Sequence, residues 1–186
     1  MIETGDLRKG LTFILDGRLV KVVDFSHNKQ GRGSAQVRMT LRDLRTGSLT
    51  QHTVQAGAKF PQVRLDRQHV QYLYADGDQH HFMDTETFDQ IVLDSTTIGD
   101  SGRFIRENDV VDLLTYNGEP IDIELPPSVT LSVTGTDPGL KGDTASGATK
   151  PAALETGLVV NVPLFINVGD TLKIDTRSGE YIERVS

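Results

Sequence analysis

The sequence contains no cysteine, and this absence excludes several kinds of site at once. Without a thiol the chain can form neither a disulfide nor a thiolate nucleophile, and a cysteine-ligated zinc site is excluded. Tryptophan is also absent, and aromatic residues make up only 6% of the chain. The total hydrophobic content of 37% still allows packed cores. We therefore expect small folded domains without thiol or disulfide chemistry.

Long hydrophobic runs are absent as well. No segment approaches the roughly 18 apolar residues that a membrane-spanning helix needs. The first residues, Met1-Ile-Glu-Thr-Gly-Asp6, place acids where a secretory signal has basic residues, and no apolar segment follows them. These features predict a cytoplasmic protein that has no membrane partner.

The charge is unevenly distributed along the chain. Residues 1–64 contain 11 Lys and Arg against 5 Asp and Glu, a net charge of +6, whereas residues 65–186 contain 8 against 21, a net charge of −13. A basic segment joined to an acidic body indicates that the first part meets a polyanion such as RNA. Chance sorting of surface charge between domains is the alternative, and it stays open at this point.

Short strand-like runs recur through the sequence, and turn signals separate them. The runs are Leu19–Phe25, Ala35–Leu41, Gln71–Tyr74, Gln79–Met83 and Gln90–Leu93. Asn117-Gly118 is a strong hairpin signal because both residues tolerate a positive φ. Helical patterns are limited to Asp84–Gln90 and Ser101–Glu107. The sequence therefore predicts an all-β protein made of small barrels.

Two boundaries divide the predicted strands. The charge changes sign near residue 64, and Pro126-Pro127 cannot lie within a central strand because proline has no backbone N–H. These positions predict three domains of roughly 60 residues each, spanning 1–64, 65–127 and 128–186.

The segment 27–34 lies between two predicted strands and has an unusual composition. It contains the cations Lys29 and Arg32, glycines at 31 and 33, and no acid. Glycines on both sides of Arg32 allow the backbone to approach another molecule closely. Arginine can pair with phosphate through two N–H groups or stack on a base. From the pattern alone, an RNA-contacting tip and an ordinary solvated loop are about equally compatible with this segment.

No pattern indicates catalysis, a metal site or a cofactor. His80 and His81 are adjacent in a predicted strand, so their side chains point to opposite faces and cannot share a metal. The glycine-rich segment 142–151 lacks the Gly-Lys-Ser/Thr ending of a phosphate-binding loop. We therefore predict a protein without catalytic residues, metal or cofactor.

A group of aromatic residues in the second predicted domain has two interpretations. They can form a base-stacking face or part of a hydrophobic core, and the core interpretation is favoured. The residues are Tyr72, Tyr74, Phe82 and Phe88.

Three stretches of the sequence resemble the elongation factor P family. Lys29-Gln-Gly-Arg-Gly-Ser-Ala35 resembles the tip of that family's first domain. Gln71–Gly77 followed by Phe82–Phe88 resembles the opening of its second domain. The third stretch begins at Gly142-Asp-Thr, continues through Lys150-Pro-Ala and ends in Ile174–Tyr181. The resemblance covers essentially the whole chain in order.

The resemblance implies both a fold and a function. The family fold is an SH3-like (KOW-type) barrel followed by two OB-fold barrels, arranged in an L shape that is similar to tRNA. The implied function is that of a translation elongation factor on the 70S ribosome, in contact with rRNA and the peptidyl (P-site) tRNA. Such a factor stimulates peptide-bond formation and relieves stalling at consecutive prolines. It is expected to be a monomer without a cofactor.

The resemblance also implies two groups of contact residues. The tip residues that reach the CCA end of the peptidyl tRNA are Lys29, Gly31, Arg32, Gly33 and Ser34. The third-domain residues that contact the small subunit and the exit-site codon are Gly142, Asp143, Thr144, Lys150, Tyr181 and Arg184.

The tip departs from the pattern of many relatives. Those relatives carry a lysine after Pro-Gly, and a β-lysyl group extends it, whereas this chain has Arg32 after Gln30-Gly31. Lysylation of an amine is therefore excluded at Arg32. Relatives with a tip arginine are of two kinds, one rhamnosylated on the guanidinium by a glycosyltransferase and one without modification, and the sequence favours neither. An elongation factor P-like paralogue and a generic OB-fold RNA-binding protein remain as alternative interpretations.

Overall fold

The computed structural model describes residues 1–29, 31–139 and 148–186, and within these ranges the chain is built mainly of β-strands. The strands are β1 (Ile2–Glu3), β2 (Thr12–Leu15), β3 (Arg18–Asn28), β4 (Gln36–Asp43), β5 (Leu49–Gln55), β6 (Lys59–Phe60), β7 (Asp66–Asp76), β8 (Gln79–Asp84), β9 (Gln90–Asp94), β10 (Val110–Tyr116), β11 (Glu119–Glu124), β12 (Ser128–Thr136), β13 (Thr149–Leu154), β14 (Val159–Pro163), β15 (Thr171–Asp175) and β16 (Tyr181–Arg184). A four-residue helix, α1 (Ser95–Ile98), and the 3-10 turns Thr4–Asp6 and Gly99–Arg103 complete the described elements. The predicted all-β fold class is confirmed.

The strands are arranged in three larger sheets and one small one. Their orders are β2-β3-β4-β5, β11-β10-β7-β8-β9 and β14-β13-β12-β15-β16, with β1 paired to β6 alone. Neighbouring strands such as β3 and β4 run antiparallel, which is the arrangement that short hairpin turns allow. None of the described helices has the length and apolar character that crossing a bilayer requires.

The chain forms two compact units. The first comprises Met1–Gln68, Asp94–Gly99 and Leu113–Asp122, and the second comprises His69–Leu93, Asp100–Asp112 and Ile123–Ser186. These bounds differ from the boundaries proposed at residues 64 and 127, and the division into three domains stays a prediction.

The core of the first unit lies along one face of β3 and β4. Val37, Met39 and Leu41 alternate along β4 with more exposed residues, and all three are fully buried. This alternation follows from the period-two geometry of a strand. The aromatic rings of Phe13 and Phe60 pack against the same cluster, with 4.7 Å between their centroids.

The second unit has its own core beneath β12 and β15. Leu131 and Val133 of β12 pack with Leu172 and Ile174 of β15, and these side chains are almost completely buried. Phe104, which follows the second 3-10 turn, packs against this cluster. The core thus gives β13 and β16, the strands that carry the predicted third-domain contacts, a rigid support.

The helix predicted over Asp84–Gln90 is wrong. These residues form a turn between β8 and β9, in which the Asp84 carboxylate accepts hydrogen bonds from the backbone N–H groups of Glu86 and Thr87 at 2.7 and 2.8 Å. A helix cannot continue from there, because Phe88 has a left-handed φ of 63° and the Asp84 N–H donates to the Asp89 carbonyl at 2.8 Å, which closes a hairpin turn. The helix predicted over Ser101–Glu107 corresponds only to the end of the 3-10 turn Gly99–Arg103.

The core interpretation of the four aromatic residues is only partly confirmed. Phe82 is fully buried, and its ring lies 5.2 Å from that of the half-buried Tyr72. For the other two residues the interpretation is wrong, because Tyr74 is 49% exposed and Phe88 is 68% exposed.

Candidate nucleic-acid interface

The predicted tip lies at the end of a long hairpin formed by β3 and β4. Their pairing extends from Val20 opposite Asp43 to Asn28 opposite Gln36. At about 3.3 Å per residue, β3 is about 35 Å long. The register shifts between Val22 and Asp24, and such a bulge bends the strand and increases its twist.

Burial falls along β3 toward the tip. Val22 is almost completely buried, whereas Ser26, His27 and Asn28 are all exposed. The opposing strand keeps its contact with the core as far as Val37, which is fully buried. The hairpin is therefore anchored at its base, and its last residues extend into solvent.

The tip residues named from the sequence are together in one exposed turn. Lys29, Gly31, Arg32, Gly33 and Ser34 are all exposed, and Gln30 lies outside the described residues. Gly31 has a φ of 58°, a conformation that residues with a β-carbon rarely adopt. No heavy atom lies within 4 Å of the place where a β-carbon at Gly31 would be, so the backbone conformation and not the space requires glycine there.

The charges around the tip have one sign. Residues 25–42 contain four Lys and Arg and no Asp or Glu. The carboxylate of Asp24 lies just outside this range, where it accepts a hydrogen bond from the Phe25 N–H at 2.9 Å and lies 3.7 Å from the Lys9 ammonium. Among the described residues, neither Lys29 nor Arg32 forms an ion pair. Both cations are therefore available to an external anion.

Two other cations of the first unit have carboxylate partners within it. Lys21 lies 2.6 Å from the Asp122 carboxylate, and Arg45 lies 3.5 Å from the carboxylate of Glu119. These residues have the same charge as Lys29 and Arg32 but already have a partner. The contrast indicates that the tip cations do not stabilise this fold through ion pairs.

The second predicted group of contacts is only partly described. Gly142, Asp143 and Thr144 lie outside the described residues. Lys150, on β13, is 7% exposed, and its ammonium donates a hydrogen bond to the Asp137 carbonyl at 2.5 Å. Its charge is therefore directed toward the base of the intervening segment and not toward solvent.

Gly139 allows a close approach at the same base. A β-carbon there would lie 2.6 Å from the Leu164 carbonyl oxygen, closer than two such atoms can come. Only glycine fits this position without a shift of backbone. The described residues on either side of 140–147 thus include a close approach, of Gly139 to Leu164, and a hydrogen bond, from Lys150 to Asp137.

The remaining two predicted contacts lie on β16. Tyr181 is half-buried against the core, and Arg184 is exposed. The Arg184 guanidinium lies 5.1 Å from the centre of the Phe165 ring and 3.7 Å from the Asp170 carboxylate. Phe165, which is 56% exposed, was not singled out from the sequence because it is far from Arg184 along the chain.

The exposed residues of the site have the composition of a binding surface. Among residues 1–29, 31–139 and 148–186, no group of His, Asp and Glu side chains is arranged to hold a metal ion. Exposed cations between glycines, and a cation stacked on an exposed ring, are instead groups that RNA-binding surfaces use.

Family models match the chain along almost its whole length. The elongation factor P KOW-like domain matches residues 3–60, the elongation factor P OB domain matches residues 65–123, and the elongation factor P C-terminal domain matches residues 129–184.

Full-length relatives agree with these matches. The chain is 50% identical over 185 residues to elongation factor P of Pelotomaculum thermopropionicum, with 100% of both chains covered. It is 53% identical over 184 residues to elongation factor P of Moorella thermoacetica, with 99% of this chain and 100% of the relative covered.

A solved structure supports the fold alone. Eukaryotic translation initiation factor 5A from Methanococcus jannaschii has a TM-score of 0.50 and 23% identity, and the match covers 66% of this chain and 90% of that one. The three family models and the full-length relatives show that the chain belongs to the elongation factor P family, which consists of translation elongation factors and not of enzymes.

Proposed function

We propose that the protein acts in the cytoplasm as a monomer that binds the 70S ribosome beside the peptidyl (P-site) tRNA. There it stimulates peptide-bond formation and relieves stalling at consecutive prolines. The observation that carries this proposal is the exposed tip turn, where Arg32 lies between two glycines at the end of an anchored hairpin without an ion-pair partner among the described residues. Membership of the elongation factor P family supports the same proposal.

Positioning alone can account for the activity. The proline ring fixes φ, and its secondary amine is a hindered nucleophile that aligns poorly for attack. Holding the two reactants in an attack-competent geometry lowers the barrier without any catalytic group. The tip supplies what such a role needs: the Arg32 guanidinium for phosphate or base, and the Lys29 ammonium for attraction to the backbone of the CCA end.

The third-domain residues provide a second contact in this proposal. The segment that contains Gly142, Asp143 and Thr144 reaches the small subunit and the exit-site codon. Lys150 supports that segment from its base, because its ammonium is already bonded to the Asp137 carbonyl. On β16, Arg184 and Tyr181 add contacts to ribosomal RNA, and the exposed Phe165 ring beside Arg184 extends the surface.

The proposal is tested by translation of a reporter with three consecutive prolines in an extract depleted of its own elongation factor P. Adding the protein should restore full-length product from the proline reporter. It should leave a matched reporter with alanines in place of the prolines unchanged. If the protein binds RNA oligonucleotides as tightly as ribosomes and relieves no stalling, the generic RNA-binding interpretation is correct instead.

A further inference from the structure

The base of the tip hairpin is held on both faces of β3. Val20 and Val22 lie in the core cluster of the first unit, where they are 4% and 1% exposed. Side chains alternate along a strand, so Leu19 and Lys21 lie on the opposite face. Leu19 is also buried, and it belongs to a separate apolar cluster. A second element therefore covers the outer face of β3 at this point.

The covering element is β11, which belongs to a different sheet from β3. Leu19 forms the separate buried cluster with Leu44 and Ile121. Two residues further along β3, the Lys21 ammonium donates a hydrogen bond to the Asp122 carboxylate at 2.6 Å. All five residues lie in the first compact unit. We name Leu19, Lys21, Leu44, Ile121 and Asp122 together the β3–β11 joint.

The ion pair is the directional part of this joint. Hydrophobic packing has no preferred direction, whereas a charge-assisted hydrogen bond has a defined length and angle. The side chains of Lys21 and Asp122 are 33% and 15% exposed, so solvent screens their attraction only in part. Arg45 and Glu119 form another pair that involves β11, but both side chains are more than half exposed, and such surface pairs contribute little. Lys21 and Asp122 are therefore better suited than that pair to fix the direction of β3.

A small change of direction at the joint is magnified at the tip. Asn28, the last residue of β3, lies about 23 Å beyond Lys21 at about 3.3 Å per residue. Over that length a tilt of about 3° displaces the end of the strand by about 1 Å. When reactants must be aligned, a misplacement of about 1 Å can cost about 100-fold in rate. The direction of β3 at Lys21 therefore decides where the tip lies.

We propose that Lys21 and Asp122 are positioning residues for peptide-bond formation. Their ion pair sets the direction of the β3–β4 hairpin relative to β11, and the hairpin then places Arg32 against the CCA end of the peptidyl tRNA. The inference rests on the proposed function. In chain order the joint lies between the tip and the third-domain contacts, because β11 is followed by Pro126-Pro127 and β12. A chain that binds the ribosome at both places needs a tip of fixed direction.

Exchanging the two charges tests the role of the pair. Lys21→Asp or Asp122→Lys alone brings like charges together, and each should slow synthesis through three prolines by about 10-fold on saturated ribosomes. The combined variant restores opposite charges and should recover most of the rate. Arg45→Asp and Glu119→Lys make the same charge changes at the exposed pair, and they should leave the rate unchanged. The concentration of factor at half-saturation should be the same for each variant and its control, because their net charges are equal.

An apolar replacement separates positioning from stability. Lys21→Met combined with Asp122→Leu removes both charges, and apolar side chains in place of a shielded ion pair are often neutral or stabilising. The variant should therefore unfold at the wild-type temperature or above it and still be about 10-fold slow. A wild-type rate would mean that the pair serves folding alone. A charge exchange that stays as slow as its single variants, or a half-saturation concentration that rises as much as the rate falls, would also overturn the proposal.

Spin labels measure the direction of the hairpin without the ribosome. The chain has no cysteine, so Ser34→Cys in the tip and Glu119→Cys on β11 provide two unique labelling sites, both exposed and both in the first unit. The distribution of distances between the labels should shift or broaden in Lys21→Asp and in the apolar variant, and return in the charge exchange. Identical distributions in all samples would overturn the positioning role and leave the proposed function intact. A wild-type chain that relieves no stalling would overturn both.

Discussion

Arg32 is a side chain whose removal should change function without changing the fold. It is exposed, and among the described residues it forms no ion pair. We expect Arg32→Ala to slow synthesis through three prolines by about 10- to 100-fold, because misplacement of reactants by about 1 Å can cost about 100-fold in rate. The Kd for the ribosome should change little if, as proposed, the rest of the protein supplies most of the contact.

The measurement is peptide-bond formation on ribosomes saturated with the factor, together with cosedimentation. Arg38→Ala is the control for the rate alone: Arg38 is an exposed cation on β4 outside the tip turn, so on saturated ribosomes this variant should form peptide bonds at the wild-type rate. If Arg32→Ala lost binding and rate by the same factor, the tip would be an anchor and the positioning role would be wrong.

The chemical state of Arg32 is a separate question at the same residue. Its exposure makes the guanidinium accessible to a glycosyltransferase. Mass spectrometry of the tip peptide from native cells distinguishes the two kinds of arginine-tip relative. A mass increase of one deoxyhexose identifies rhamnose, and an unshifted mass means that Arg32 works without modification.

The stability of the last hairpin turn should depend on pH through the carboxylate of Asp175. The backbone N–H groups of Ser178 and Arg177 donate to its carboxylate and lower its pKa. A carboxyl whose folded pKa lies below the unfolded value of about 3.9 contributes stability above that pH and loses it as the pH falls through the folded pKa. Asp175→Asn should therefore lower the urea midpoint at pH 7, and its difference from the wild type should shrink as the pH falls below the unfolded pKa.

The comparison is made by urea unfolding at a series of pH values. Asp43→Asn should show the same pH dependence. Burial raises the pKa of Asp43, but the hydrogen bonds that the N–H groups of Arg45 and Thr46 donate to its carboxylate outweigh burial, and the pKa is lowered. A difference between Asp175→Asn and the wild type that stays constant with pH would show that the turn depends on shape and not on charge.

At the scale of elements, β4 couples the tip to the core. Met39 lies on the inner face of β4 and is fully buried. It is opposite Phe25 of β3 and His52 of β5. We expect Met39→Ala to lower the free energy of unfolding by about 2–5 kcal/mol, the usual cost of such a cavity. Thr53→Ala, an exposed change on the neighbouring strand, should cost little. If urea unfolding showed the same loss of unfolding free energy for both variants, the conclusion that only one face of this sheet packs on the core would be wrong.

Alternation and turn residues were sufficient to predict much of this architecture. The run Ala35–Leu41 corresponds to β4, and its buried and exposed residues alternate as the period of two requires. Asn117 and Gly118 form the expected tight turn, with φ values of 51° and 79°. In both cases the signal is local, because it depends on the conformational preferences of a few consecutive residues.

The features that could not be predicted depend on competition or on distant contacts. The helix expected at Asp84–Gln90 is absent because Phe88 has a left-handed φ of 63° and the Asp84 N–H donates to the Asp89 carbonyl, which closes a hairpin turn. The burial of Lys150 and the stacking of Arg184 on Phe165 join residues that are more than ten positions apart. Exposure of Phe88 was missed since an aromatic residue in a β-rich sequence is usually part of a core.

The whole molecule combines a basic first third with an acidic remainder, and this asymmetry has a consequence for binding. A body that carries a net −13 over residues 65–186 is repelled by RNA in general, so the residues 1–64, with their net +6, should dominate the electrostatic attraction to the ribosome. Repulsion between the acidic part and RNA then limits binding of the protein to RNA outside its proper site. Contacts between the acidic part and basic proteins remain favourable.

Salt dependence tests which cations meet RNA. Each Lys or Arg that contacts a phosphate adds about one to the slope of log K against log salt concentration. Arg38→Gln, an exposed change beside the tip, should therefore reduce the slope of ribosome binding by about one, with a weaker affinity at low salt. Arg177→Gln removes the same charge from the acidic part of the chain, at an exposed turn residue, and should leave the slope unchanged. The measurement is cosedimentation with 70S ribosomes over a range of potassium concentrations. Equal slopes for both variants would mean that the basic segment does not face RNA, and the charge asymmetry would then reflect only chance sorting of surface residues.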